Sequence, residues 1–175
     1  MIKSIIGILR DIALRHKGVQ TFRYQSDMVN NAQHNYNTYQ VYVDNVNYHQ
    51  LNITTNVFTS EWQIYILSHP STEEGGKTIE DIQDEAFTIA VDMLGYIDTK
   101  PEFYGVLSVH DYSILTLADY TAQKSAGVKL SLVLETPSPL NLCELDENFN
   151  EKPIEPEEDN DISINPIDLP ITIRC

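Results

Sequence analysis

Ser108-Val109-His110-Asp111 holds the three residue types of a hydrolytic triad within four positions. A serine nucleophile needs a base to take its proton, and the base needs an acid to orient it, so the spacing must let all three meet. In a strand, residues two apart share a face, which sets Ser108 beside His110 and turns Asp111 to the other side. The run therefore makes no triad by itself, and His110 reads more simply as a polar residue at a strand end.

Other chemistry-bearing runs give equally bland readings. Gly75-Gly76-Lys77-Thr78 stands before a helical pattern as a phosphate loop would, but the first glycine of the full pattern falls at Ser71, and a turn suffices. Asp159-Asn160-Asp161-Ile162-Ser163 alternates oxygen ligands as calcium loops do, yet the sixth position is Ile164 and the twelfth is Pro170, which reads as a solvated acidic linker. His16, His34, His49, His69 and His110 contain no pair four apart, so no zinc site is read. Tyr36, Tyr39, Tyr42 and Tyr48 suit strand packing ahead of a partner surface. No enzyme is expected, and no metal or other cofactor.

Whatever the chain does rests on the elements that position these residues. The 175 residues, 42% of them hydrophobic, suffice for one compact domain and an appendage. The net charge of −15 argues against a phosphate-binding footprint over most of the surface. Residues 1–23 are nonetheless net +4, through Lys3, Arg10, Arg15, Lys17 and Arg23 against Asp11. Cys143 and Cys175 are too few for a disulfide framework and lack ligand spacing, which points to a reducing compartment. Arg10 and Asp11 interrupt the first apolar run, so no secretion signal is expected, and no stretch approaches a membrane span. Asn52-Ile53-Thr54 fits the glycosylation pattern but gains no weight without a secretory signal.

Ile2, Ile5, Ile6, Leu9, Ile12 and Ala13 recur at helical spacing, with Gly18 placed as a C-cap. Period-two alternation then runs through Phe22, Tyr24, Ser26 and Met28, resumes at Tyr39, Val41 and Val43, then at Leu51 and Ile53, and again at Trp62, Ile64 and Ile66. Thr78 caps a second helix with Asp81 reaching back, and Ile79, Ile82, Ala86, Ile89, Ala90, Met93 and Ile97 keep one face. Tyr104–Val109 and Ser113–Ala118 read as two further strands. In the last strand Val128, Leu130, Leu132 and Leu134 point inward, while Lys129, Ser131 and Glu135 point away. The fold class predicted is α+β, an antiparallel sheet with two helices packed on one face over residues 1–136.

Residues 137–175 read as an extended arm. Six of the eight prolines lie there, and the stretch from Glu144 to Asp161 sets nine acids against Lys152. Beyond it Ile162 and Ile164, then a shifted set of Ile167, Leu169, Ile171 and Ile173, alternate as expected of a strand added to a neighbour's sheet edge. Pro166 and Pro170 would be tolerated only on an edge. The arm is thus an anchor whose leash sets its reach, with folding back onto its own domain as the alternative.

A basic amphipathic helix, a hairpin region, a capped acidic helix and then ADYTAQKSAGVKLSLVLE resemble the tail-terminator and neck-ring family of tailed bacteriophages. The step Ala126-Gly127-Val128 from a polar loop into the final strand carries the resemblance, which covers roughly residues 1–136. The continuation ETPSPLNLCELDE looks most like the ring proteins of crAss-like phages. The long acidic arm departs from simple terminators, which end soon after the last strand. The resemblance implies a homo-oligomeric virion protein of the tail or neck, made in the host cytoplasm. It implies a ring of about twelve copies, or about six as the alternative, stacked with the portal or other tail rings. Genome DNA would pass through without sequence-specific binding, and no membrane is involved. The anchor residues are Ile162, Ile164, Ile167, Leu169, Ile171 and Ile173, and the basic helix offers Lys3, Arg10, Arg15 and Lys17 to an acidic neighbour or leash. Two other readings stay open: a small soluble enzyme or ligand-binding module using Ser108, His110 and Asp111, and a membrane-surface adaptor using residues 1–17.

Overall fold

The computed structural model describes residues 2–24, 38–44, 48–71, 75–121 and 124–138. They form an α+β unit of two helices and a six-stranded mixed sheet. The elements are α1 (Ile2–Arg15), β1 (Val19–Tyr24), β2 (Tyr39–Val43), β3 (Tyr48–Asn52), β4 (Val57–Ser68), α2 (Ile79–Thr99), a 3₁₀ turn (Pro101–Phe103), β5 (Ser108–Leu117) and β6 (Ala126–Pro137). Strands run in the order β1-β2-β4-β6-β5, and β3 pairs with the first half of β4.

The sheet grows from β4 and β6, which pair antiparallel over their whole lengths from Val57↔Pro137 to Ser68↔Ala126. Alternation in both strands sends Trp62, Ile64 and Ile66 and then Val128, Leu130, Leu132 and Leu134 to the face the helices cover, all of them buried. Each such side chain contributes roughly 1.5–3 kcal/mol by leaving water. The Trp62 indole N–H donates to the buried Ser60 hydroxyl at 2.8 Å, so the largest core residue buries no unpaired donor.

α2 packs across β4, β5 and β6 through Ile82, Ala86, Ile89, Ala90, Met93, Leu94 and Ile97. Its start is fixed by a capping box: the Asp81 N–H donates to the Thr78 hydroxyl at 3.2 Å, and the Thr78 N–H donates to the Asp81 carboxylate at 3.0 Å. α1 lays Ile5, Leu9, Ile12 and Ala13 against β1 and touches α2.

Four expectations are corrected. The sheet is not antiparallel throughout, because β1 runs parallel to β2 with a register shift between Val19 and Thr21. The two strands read at Tyr104–Val109 and Ser113–Ala118 are one strand, β5, broken in phase by a bulge between Val109 and Asp111, while Tyr104–Val106 is a turn. Of the alternating pair Leu51 and Ile53 only Leu51 lies in a strand, exposed on β3, and Ile53 is exposed in the following turn. Gly18 does not take the left-handed C-cap conformation, and its N–H donates to the His16 ring Nδ1 at 3.1 Å. Ser26 and Met28 lie outside the described residues.

The compact unit closes at Ser138, whose N–H donates to the Asn56 carbonyl at 2.9 Å, two residues beyond the boundary read from alternation. Residues 139–175, with the six anchor residues and both cysteines, lie outside the described residues.

Candidate functional site

β5 and the end of β6 carry the residues with triad chemistry. Ser108 pairs with Glu135 across the two strands, and the bulge at His110 turns its ring toward the same carboxylate, with Nδ1 at 3.2 Å from Glu135 Oε1. Asp111, the acid read from the sequence, instead accepts the Tyr112 N–H at 2.8 Å. Glu135 is therefore the acid that orients His110, and sequence spacing misses it because the partner comes from the adjacent strand. Ser108 and Glu135 line a cavity of about 360 Å³ with Thr55, Asn56, Leu107 and Thr136. Among the described residues no hydrogen bond joins Ser108 to His110, so the three do not form a relay.

The remaining motifs are consumed locally. Lys77 is held by Glu85 and sits over the Tyr39 ring at 5.2 Å, and Thr78 caps α2, so the glycine run builds a turn rather than a phosphate cradle. That salt bridge, against the opposing effect of desolvation, holds the Glu85 carboxyl below its ordinary range. Burial, with the Glu85 carboxylate as hydrogen-bond partner at 2.9 Å, pushes the Tyr39 hydroxyl well above the usual phenol range. Asn52 accepts the N–H groups of Thr54 and Thr55 at 3.0 and 3.1 Å, making an Asx turn at the head of the β3–β4 hairpin. Among the described residues no group of three or more His, Cys, Asp or Glu is placed to hold a metal ion.

The basic residues of the first helix are divided in use. Arg15 bonds Asp11 at 2.8 Å and the Tyr96 hydroxyl at 3.0 Å, tying α1 to α2. The Arg10 guanidinium lies 6.0 Å from the centre of the Phe22 ring. Lys3 and Lys17 are exposed. The apolar stripe of α1, Ile5, Leu9, Ile12 and Ala13, is spent on its own sheet, while Ile2 and Leu14 are exposed. No helix among the described residues is long and apolar enough to cross a membrane.

Part of the exposed apolar surface lies on β5 and the adjoining side of α2, while Ile2 and Leu14 on α1 and Leu51 and Ile53 at the β3–β4 hairpin are exposed elsewhere. β5 pairs with β6 alone among the described residues and so forms one end of the sheet. On it Tyr112 is 55% exposed and Leu115 61%. Phe87 and Val91, one turn apart on α2, are both 45% exposed. Between helix and strand runs a groove of about 380 Å³ lined by Val91, Leu94, Gly95, Asp98, Val109 and Tyr112. The sequence signal for this surface was Phe87 and Val91 themselves, which fall off the buried stripe of α2.

The far face of the sheet carries a smaller apolar cluster of Tyr42, Tyr65 and Leu67, against which Leu117 packs. Tyr65 stacks on Tyr120 at 5.2 Å between ring centres, and burial followed by the Tyr120 hydrogen bond raises its hydroxyl above the usual range.

No protein-family model matches the chain, and a search of curated proteins finds no match.

Proposed function

We propose that this chain is a structural virion protein that forms a ring in the neck or tail of a tailed phage. The ring bounds the DNA channel between portal and tail and links adjacent rings through residues 137–175. The observation that carries this reading is the exposed apolar surface of Tyr112, Phe87 and Val91 on the helix-covered side of an open sheet edge, with Leu115 exposed on the opposite face of the same edge strand. Surface of this kind fits subunit packing better than it fits a small ligand.

A closed ring needs heterologous contacts, one patch meeting a different patch on the next copy. The sheet ends in two unlike strands, short parallel-paired β1 and long antiparallel-paired β5, which supplies two different surfaces at opposite ends. The acidic balance of −15 suits a lumen along which DNA slides without being held, and exposed Lys3 and Lys17 suit contact with an acidic neighbour. Copies number about twelve, or about six, with the portal or another tail ring as neighbour.

Deleting residues 139–175 tests the reading. The shortened chain keeps a native core, seen as unchanged Trp62 emission, but is lost from assembled particles. Wild-type occupancy of the shortened chain in particles would overturn the linking role of the arm.

A second reading has one observation in its favour, the His110–Glu135 pair beside Ser108 on a cavity of about 360 Å³. It makes the chain a small hydrolase. Covalent labelling by a fluorophosphonate, abolished in Ser108→Ala, would support it, and absence of labelling in the folded full-length chain removes it.

A further inference from the structure

We infer that the outer flank of α2, with the β5 groove beside it, takes the basic outer flank of α1 from a second copy of this chain, an assignment that rests on the ring role proposed for it. Each flank is a stripe at helical spacing. On α2, Glu80, Asp84, Phe87, Val91, Gly95 and Asp98 follow one another at steps of four or three, and all six are exposed. On α1, Lys3, Gly7, Arg10 and Leu14 do the same, with exposed Lys17 in the turn that follows. The α2 stripe runs about 27 Å and the α1 stripe about 17 Å, so one can lie along the other.

Charge selects the pairing. α2 holds six acids and no Lys or Arg, whereas five of the chain's eleven Lys and Arg fall in residues 1–23. Other charges at the two helices are already matched, Arg15 with Asp11, His16 with Asp92 and Glu85 with Lys77. Among the described residues no ion pair engages Lys3, Arg10, Lys17, Glu80, Asp84 or Asp98. Setting the acids of one copy against the bases of the next attracts the two stripes, while α1 on α1 or α2 on α2 would set like charges together. The same contact covers Phe87, Val91 and Leu14, which are 45%, 45% and 47% exposed.

Two glycines point the same way. Gly7 and Gly95 stand inside helices, where glycine is less favourable than alanine, and a Cβ on either would meet nothing within 4 Å. No neighbour within the described part of the chain requires them. Each lies on one of the two stripes, where a helix backbone coming close accounts for the missing side chain.

The second copy, rather than the same chain, follows from where the stripes stand. α1 lies against β1 and α2 across β4, β6 and β5, so the two helices occupy opposite ends of one layer. Arg15 donates to the Tyr96 hydroxyl at 3.0 Å between the flanks that face inward, and the stripes lie on the other flank of each helix. A chain cannot bring its own α1 stripe to its own α2 stripe without unburying Ile5, Leu9, Ile12 and Ala13. Between copies the contact joins two unlike surfaces, the heterologous kind that closes a ring by rotation.

Paired charge reversal in the full-length chain tests this. With Cys143 and Cys175 replaced by Ser, one preparation carries Leu14→Cys and another Val91→Cys, and a flexible bismaleimide tolerates their register along the stripes. The mixture is expected to give a linked heterodimer at about 0.01 M salt, where charges act over roughly 30 Å. Adding Lys3→Glu and Arg10→Glu to the first preparation, or Asp84→Lys and Asp98→Lys to the second, should lower the yield at least ~10-fold. Mixing the two reversed preparations should restore the link, which loss of fold would not allow. A yield that neither reversal moves, or that the reversed pair does not restore, would overturn the inference. Stronger linkage within the Val91→Cys preparation alone would overturn it in favour of α2 on α2, and within the Leu14→Cys preparation in favour of α1 on α1. Absence of any linkage, with Trp62 emission native, would overturn it outright. If the link fails while the protein is counted in phage particles, only the interface assignment falls; if it forms while the protein is absent from particles, only the phage-ring reading falls.

Discussion

A Cβ placed on Gly127 would lie 2.0 Å from the backbone carbonyl oxygen of Ile66. Gly127 is the point where β6 pairs with β4 on one side and β5 on the other, opposite Leu67 and Leu117, and its φ is +150°. The glycine of the Ala126-Gly127-Val128 step is thus dictated by close backbone approach at the start of the central strand. Gly127→Ala meets both backbone strain and a contact with no flexible atom to yield. It is expected to cost more than about 3 kcal/mol, read as a lowered denaturation midpoint or loss of soluble protein. A Gly127→Ala protein with the wild-type midpoint would contradict this.

Trp62 is the chain's one tryptophan and is fully buried with its N–H satisfied. Trp62→Ala should destabilise by about 3–5 kcal/mol. Trp62→Phe should cost less, because it keeps most of the volume and leaves only the Ser60 hydroxyl without its donor. In the wild type the emission of Trp62 should be blue-shifted and move red in a single step with denaturant; red emission from the native chain would show the core open.

Thr78→Ala removes the side-chain acceptor at the start of α2 and should cost about 1 kcal/mol, with Thr78→Ser restoring most of it. Urea midpoints of the three proteins decide the matter. Equal midpoints would mean that packing of the α2 face alone holds the helix end.

Acid should weaken the fold through the same corner. The Thr78 backbone N–H, then its hydroxyl, hold the Asp81 carboxyl below its ordinary range, and Lys77 does the same for Glu85. Groups depressed in the folded state contribute stability that is complete above the ordinary carboxylate range and is lost as pH falls through the depressed values. The thermal midpoint should therefore fall between about pH 5 and about pH 3. The fall should be shallower in Asp81→Asn/Glu85→Gln. An unchanged slope in that double variant would place the acid sensitivity elsewhere.

Legibility in the sequence followed locality. α2 was readable because its cap, acidic first turn and apolar stripe all lie within one stretch, and β4 and β6 because Trp62 to Ile66 and Val128 to Leu134 alternate without interruption. β5 was not, because one extra residue at His110 shifts the phase mid-strand and divides the pattern into two apparent strands. The parallel pairing of β1 with β2 depends on where the chain returns rather than on any residue in either strand. The same holds for the candidate site. Asp111 was the nearer acid in sequence, but Glu135 is nearer to His110 in space. The exposed pair Phe87 and Val91 stood in plain sight on the helical wheel, while the convergence of Val91 with Tyr112 depended on the strand order β4-β6-β5.

The central claim is that this chain works as one copy among many in a ring within a phage particle. The most direct test is the mass of the purified protein in solution, set beside a count of its copies in whole particles. The account predicts a fixed, repeated copy number in the particle, whether the free protein is a monomer that closes into a ring only on its neighbours or already a ring. A protein that is monomeric in solution and missing from particles would contradict it.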